Sequence, residues 1–342
     1  MAPDPLRLAL IGLGRMGRFH LGALAGVEQI DVVALAEPFP AAMDAAAALA
    51  PAATRYDSVA AALAHPGLEA CLVATPTPTH PDIVLAALER GLHVLCEKPL
   101  ALDPATAVRL GAAAANRGLV LQVGFWRRFS PPWRAAKDAL AAGAIGAPLL
   151  IRLCQWDADP PPATFCDPAV SGGLAIDCGV HEYDLAEWLT GRRIVSVSAW
   201  SLPIVDAAVG AAGDVDNLVA VLTLDGGAVA TVDLSRNARY GDDVRTEILG
   251  SDGALFIDLL PAGGTRVGTA AGMQDVEGSA ADDATAAGVV GQALAFAAAV
   301  RGGNDEVPGA AASVAATAVG HAVIEAARTG LPVRIPHSKG VT

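Results

Sequence analysis

The sequence predicts an α/β fold: an N-terminal doubly wound parallel sheet followed by an α+β domain with an open, mainly antiparallel sheet. Two observations carry this. From Leu6 to about Gly124, short β-branched or apolar runs alternate with Ala-rich stretches of helical length, the pattern of successive βα units. After Gly124 the apolar runs follow one another across turns such as Asp225-Gly226-Gly227 and Ser251-Asp252-Gly253, which favours antiparallel pairing. The expected division is therefore 1–124 and 125–342, which agrees with roughly 150 residues per domain.

In the first domain, strands are expected at Leu6–Ile11, Ile30–Ala36, Ala70–Ala74, His93–Cys96 and Leu119–Val123. Helices are expected between them at Arg15–Ala25, Ala41–Leu49, Pro81–Arg90 and Pro104–Asn116, the last two ending near Gly91 and Gly118, which suit a left-handed C-cap. In the second domain a Pro/aromatic segment, Phe125 to Trp133, leads into one helix and then strands. The Ala/Gly/Asp-rich stretch Ala262–Ala287 is low in complexity and is expected to contain exposed loops. Gly291–Val300 and Ala310–Ala327 are expected to close the chain as helices, with room for them to pack back on the first domain.

Composition excludes several classes. The 23 Lys and Arg against 36 Asp and Glu leave a formal net charge of −13, so no cationic excess exists to bind nucleic-acid phosphates. Hydrophobic residues make up 53% but are dispersed, with no run near the ~20 uninterrupted apolar residues of a membrane span, so no membrane partner is expected. The start, Met1-Ala2-Pro3-Asp4-Pro5, lacks a basic leader, and the cytoplasm is the expected location. Five cysteines without a C-x-x-C pair point to reduced, mostly buried thiols.

Gly12-Leu13-Gly14-Arg15-Met16-Gly17 is a G-x-G-x-x-G that follows a strand and opens a helix, the context in which the string binds a dinucleotide pyrophosphate in a Rossmann-type domain. Gly12 makes the turn, Gly14 lets the phosphates approach, Gly17 lets helix and strand pack closely, and the anion sits at the helix N-terminus with Arg15 and Met16 in its first turn. The plainer alternative is a Gly-rich turn in an Ala/Gly-rich chain. Glu37 ends the second apolar run, where a carboxylate accepts from both ribose hydroxyls and repels a 2′-phosphate, favouring NAD over NADP; the alternative is a cap on the next helix.

Glu97-Lys98-Pro99 follows the strand His93–Cys96, at the edge where strand ends face a cofactor crevice, and Pro99 raises the chance of a cis peptide. Lys98 reads either as a group reaching the nicotinamide end or as a surface lysine. Asp177, His181 and Asp184 are spaced to share one face if their segment is helical, which suits general acid–base work near neutral pH. A structural His–Asp pair and part of a metal site stay open beside it.

These strings, with Ala74-Thr75-Pro76-Thr77-Pro78-Thr79-His80 and Gly124-Phe125-Trp126-Arg127-Arg128-Phe129, together resemble the Gfo/Idh/MocA oxidoreductase family over nearly the whole chain. The stretch Arg236-Asn237-Ala238-Arg239-Tyr240-Gly241-Asp242-Asp243 is most similar to its inositol 2-dehydrogenase branch. The resemblance implies a catalytic trio of Lys98, Asp177 and His181 acting on a ring hydroxyl, NAD as cofactor and no metal. It implies that Thr75, Pro76, His80 and Glu97 line the ribose and nicotinamide, that Arg128, Asp157, Asp184 and Tyr240 face the substrate, and that subunits pair as a homodimer or homotetramer through the second sheet.

The chain departs from that branch where Asp242 stands in place of a tyrosine, and where Trp126 and Trp156 replace smaller or basic residues. Aromatic faces stack on saccharide rings, and with Asp157, Asp242 and Glu182 the site could favour an amino-bearing sugar, cyclitol or aminoglycoside. The plainer alternative is that these acids are solvated or bind neutral hydroxyls of a polyol. A non-catalytic NAD-binding regulator has no use for the trio, and a tightly held NADP, as in the glucose–fructose branch, conflicts with Glu37.

Overall fold

A computed structural model describes residues 4–158, 161–258, 264–269, 271–278, 283–303 and 307–336. The chain divides into two units, one of residues 1–126 and 289–314, the other of 127–288 and 315–342.

Unit 1 holds β1 (Leu6–Ile11), β2 (Ile30–Ala36), β3 (Thr54–Tyr56), β4 (Ala70–Val73), β5 (His93–Cys96) and β6 (Leu121–Val123). All pair in parallel in the order β3-β2-β1-β4-β5-β6, so the direction of winding reverses beside β1. All four residues of β4 are buried, as a strand covered on both faces requires. Leu6, Leu8, Leu10, Leu35, Leu72 and Leu95 form a core with Ala293, Phe296 and Ala297, so part of the C-terminal helical sequence belongs to this unit. Each fully buried Leu or Phe contributes about 1.5–3 kcal/mol. The sequence reading had missed β3 and the one-turn helix Val59–Ala62; three exposed or half-buried residues show no alternation to detect.

Unit 2 holds β7 (Pro148–Trp156), β8 (Ile194–Ser201), β9 (Asn217–Leu224), β10 (Val229–Ser235), β11 (Asp243–Gly250), β12 (Gly253–Asp258), β13 (Thr265–Thr269), β14 (Gly272–Asp275) and β15 (Val333–Arg334). Their order is β14-β13-β12-β11-β7-β10-β9-β8-β15, with only β7 and β10 parallel among these pairs. Burial alternates strictly along β9, which fits a sheet covered on one face. Helix Pro131–Ala141 precedes β7 as the one expected helix, and Gly179–Thr190, between β7 and β8, also contacts the sheet. The described part of Ala262–Ala287 contains β13, β14 and the start of the helix Ala284–Val300 between its loop residues.

Among the described residues the helix Ala310–Thr329 is, by length and composition alone, apolar enough to cross a membrane, although it holds no unbroken apolar run of that length. Ser313, Thr317, His321 and Glu325 interrupt its apolar residues, while Val319, Val323 and Ala326 are buried in the fold.

Candidate active site

In unit 1 the glycine loop leaves β1 for the helix Arg15–Ala23, whose N-cap Gly14 offers no side-chain cap. A Cβ on Gly17 would stand 1.9 Å from the Gly12 carbonyl oxygen, and one on Gly12 would meet Thr75 and Ala74 below 3 Å. A Cβ on Gly14 would meet nothing within 4 Å. Two glycines thus satisfy protein packing, while the third leaves open space at a helix N-terminus, a fit for the pyrophosphate of NAD. Arg15 is exposed and Met16 half-buried in the first helical turn.

Glu37 is buried at the end of β2 and accepts the N–H groups of Leu13 at 2.8 Å and Phe39 at 3.1 Å. The carboxylate is therefore pinned beside the glycine loop. Thr75 is half-buried and Pro76 exposed in the loop after β4, where the Thr79 hydroxyl donates to Thr75 Oγ1 at 2.7 Å.

Two residues expected to line the cofactor are buried and hydrogen-bonded within the unit. His80 is buried, with Nδ1 3.0 Å from the Pro99 carbonyl oxygen and Nε2 2.8 Å from that of Thr75. Burial lowers its pKa, and the neutral ring donates to only one of these two carbonyls at a time. Glu97 is buried against His20, Oε1 lying 2.6 Å from Nε2. Burial alone would raise its carboxyl, but the His20 hydrogen bond and charge, with Lys98, hold it below the ordinary glutamate range. Lys98 follows β5 in a half-buried position, and its bond to Pro99 is cis. Trp126 is buried at the end of the same unit.

In unit 2, Asp177 ends the short helix Leu174–Asp177, and His181 lies in the next, Gly179–Thr190, so the segment is helical on both sides of Cys178. Gly172 and Gly173 both have positive φ ahead of this turn, and a Cβ on Gly173 would stand 2.5 Å from Asp214 Oδ1. Asp214 Oδ1 accepts the Leu174 N–H at 3.0 Å. His181 is 6% exposed, and the Asp177 carboxylate lies 3.5 Å from Arg236 Nη2.

Asp157 carries its carboxylate to the same neighbourhood, accepting from Gln155 Nε2 at 3.1 Å and the Cys178 thiol at 3.4 Å. Gln155 accepts from Arg127, whose other nitrogen pairs with fully buried Glu182. Burial raises the Glu182 carboxyl and Arg127 opposes it, so Glu182 serves this pair and does not enlarge an acidic substrate wall.

Other expected substrate residues are placed differently. Arg128 donates Nε to Asp184 Oδ2 at 2.8 Å, and Nη2 lies 2.5 Å from Oδ1, so the two bind each other. Gln155 turns to the helix-covered face of β7, and alternation sends Trp156 to the opposite face, under the Arg245 guanidinium at 5.5 Å. Tyr240 joins that second group, its hydroxyl donating to Asp243 at 2.8 Å, because β11 pairs Asp243 with Trp156. Trp156 and Tyr240 are therefore not on the Asp157 side. Asp242 is exposed, and its carboxylate accepts the Ala158 N–H at 2.7 Å. Sequence reasoning missed His20, Arg127, Asp214 and Arg236; each is a polar group that becomes notable only once burial is known.

Residues 6–125 match the model of the oxidoreductase family with an NAD-binding Rossmann fold, and residues 133–256 match that of the GFO/IDH/MocA C-terminal domain. The scyllo-inositol 2-dehydrogenase (NAD(+)) of Bacillus subtilis is 34% identical over 256 residues, covering 75% of this chain and 74% of that protein. This chain belongs to the Gfo/Idh/MocA oxidoreductase family. Scyllo-inositol dehydrogenase from Lactobacillus casei with bound NAD(H) and scyllo-inositol superposes with a TM-score of 0.85 at 27% identity, over 97% of this chain and 99% of that one. GenD2 from gentamicin A biosynthesis, in complex with NAD, gives a TM-score of 0.86 at 26% identity, with 98% of each chain covered. As a Gfo/Idh/MocA protein the chain is an oxidoreductase of CH–OH groups with an NAD-binding first domain.

Proposed function

We propose that the protein oxidises a secondary ring hydroxyl of a cyclitol or sugar to the ketone with NAD, as its relatives named inositol 2-dehydrogenases suggest. The observation that carries this reading is that Lys98, Asp177 and His181 are all present in a chain whose first unit offers an open glycine cradle for NAD. NAD, when bound, supplies the hydride acceptor. His181 takes the hydroxyl proton as the carbon gives up hydride, Asp177 supports the imidazolium, and Lys98 donates to the substrate oxygen and makes its proton more acidic.

A second reading, the same oxidation on an aminosugar, aminocyclitol or aminoglycoside, is favoured by Asp157. Its carboxylate has an amide and a thiol as partners, both uncharged, whereas Arg127, Arg128 and Arg236 each face a carboxylate of their own. An ammonium on the ring would complete it with charge-assisted hydrogen bonds. NADH formation across inositols, hexoses, aminosugars and aminoglycosides separates the readings. Turnover of neutral rings supports the first, turnover of amines alone supports the second, and NAD binding with no turnover of any ring sinks both in favour of a regulator.

Two finer features belong to the same proposal. The five cysteines are free thiols, which suits a reducing cytoplasm. Self-association as a dimer or tetramer uses the half-exposed face of unit 2, where β9 carries Val219 and Val221 and β11 carries Leu249, and light scattering of the pure protein tests it.

A further inference from the structure

The strands β9 and β10 are joined by the Asp225–Gly227 turn, so Asp214 and Arg236 stand together just beyond the open end of this hairpin. Arg236 anchors its own N–H on the Asp216 carbonyl oxygen at 2.9 Å, and its side chain has 0% exposure. The guanidinium is divided between two acids: Nη1 donates to Asp214 at 2.7 Å, and Nη2 lies 3.5 Å from Asp177. Asp214 also accepts the N–H of Leu174, the first residue of the turn that ends in Asp177. One buried cation therefore holds both ends of that turn, its start through Asp214 and its terminal carboxylate directly.

We infer that Arg236 is a positioning residue, orienting the Asp177 carboxylate and, by its charge, limiting how strongly Asp177 attracts a proton onto His181. This rests on the reading of Asp177 and His181 as an acid–base pair. A cation against Asp177 offsets part of its pull on an imidazolium, so the imidazole gives its proton up more readily than beside a lone carboxylate. Titratable groups around the arrangement include Cys178, 3.8 Å from Asp177, with Asp157 behind it at 3.4 Å, and Asp214 and Cys166, both held by Arg236 Nη1, with Asp206 near Cys166 and Tyr183 near Cys178.

The test is an NMR titration of labelled histidine in the parent, Arg236→Gln, Arg236→Lys and Asp177→Asn, with the His181 signal identified by its loss in His181→Asn. Steady-state kinetics are measured on the same samples. In Arg236→Gln the imidazole pKa is expected to rise by on the order of half a unit or more, and kcat to fall about tenfold at unchanged KM for NAD. Arg236→Lys is expected to restore most of both. If Arg236→Gln does not fold, because Asp214 is left buried and uncompensated, the Arg236→Gln/Asp214→Asn double variant decides, with a smaller rise expected. A parent-like His181 pKa and kcat in the folded variant overturn the role of Arg236. Asp177→Asn shows which idea failed: if it lowers the His181 pKa while Arg236→Gln does nothing, only the role of Arg236 falls, and if it too has no effect, the acid–base pair falls with it.

Discussion

Glu37 is pinned by two backbone N–H groups beside the glycine loop, so its charge is fixed where an adenosine ribose is read. Hydrogen bonds to a charged group contribute about 1.5–3 kcal/mol. Glu37→Ala is therefore expected to lower the NAD-over-NADP ratio of kcat/KM by roughly tenfold or more; an unchanged ratio removes Glu37 from cofactor selection. Glu97 makes a different prediction. Its carboxyl is held below the ordinary range when folded, so its pairing stabilises the protein above the unfolded value of about 4.3 and is lost as pH falls through the lower folded value. The stability gap between the parent and Glu97→Gln, followed by denaturant unfolding, is expected to be full above about pH 5 and to close on acidification. A gap that widens toward acid would contradict the His20–Glu97 assignment. Glu37 was legible in the sequence because its role follows from distance along the chain, whereas the partner of Glu97 stands 77 residues away at His20 and leaves no local signal.

The glycine loop separates packing from ligand binding within one element. A Cβ on Gly17 collides with backbone, so Gly17→Ala is expected to cost about 1–3 kcal/mol, a fall in Tm of several degrees. Gly14 faces open space with φ −64 and ψ −162, a conformation open to other residues. Gly14→Val is expected to keep Tm within about 2 °C without NAD and to lose NAD affinity at least about tenfold, because only the ligand meets the added carbons. Titration calorimetry with NAD checks it, and parental affinity in Gly14→Val would mean that the pyrophosphate binds elsewhere. This element was readable because its spacing, strand and helix are contiguous. The Trp156-Asp157 pair was not, since adjacent residues on a strand take opposite faces, and which face is covered depends on helices distant in sequence.

At the scale of the whole molecule, the alternation of strands and helices was enough to anticipate both sheet types. It left open whether the closing helices pack back on the first domain, as residues 289–314 do, because an Ala-rich periodic segment announces a helix without naming what it packs against. The family matches cover sequence in both units. The most direct measurement is single-turnover NADH formation by the parent, Lys98→Ala and His181→Ala on the substrate found by screening, with NAD affinity determined on the same preparations. Loss of at least about a hundredfold in rate in each variant, at near-parental NAD affinity, is the result expected for groups that handle the hydroxyl proton and oxygen. Parental rates in both variants would contradict the assignment of the chemistry to these side chains.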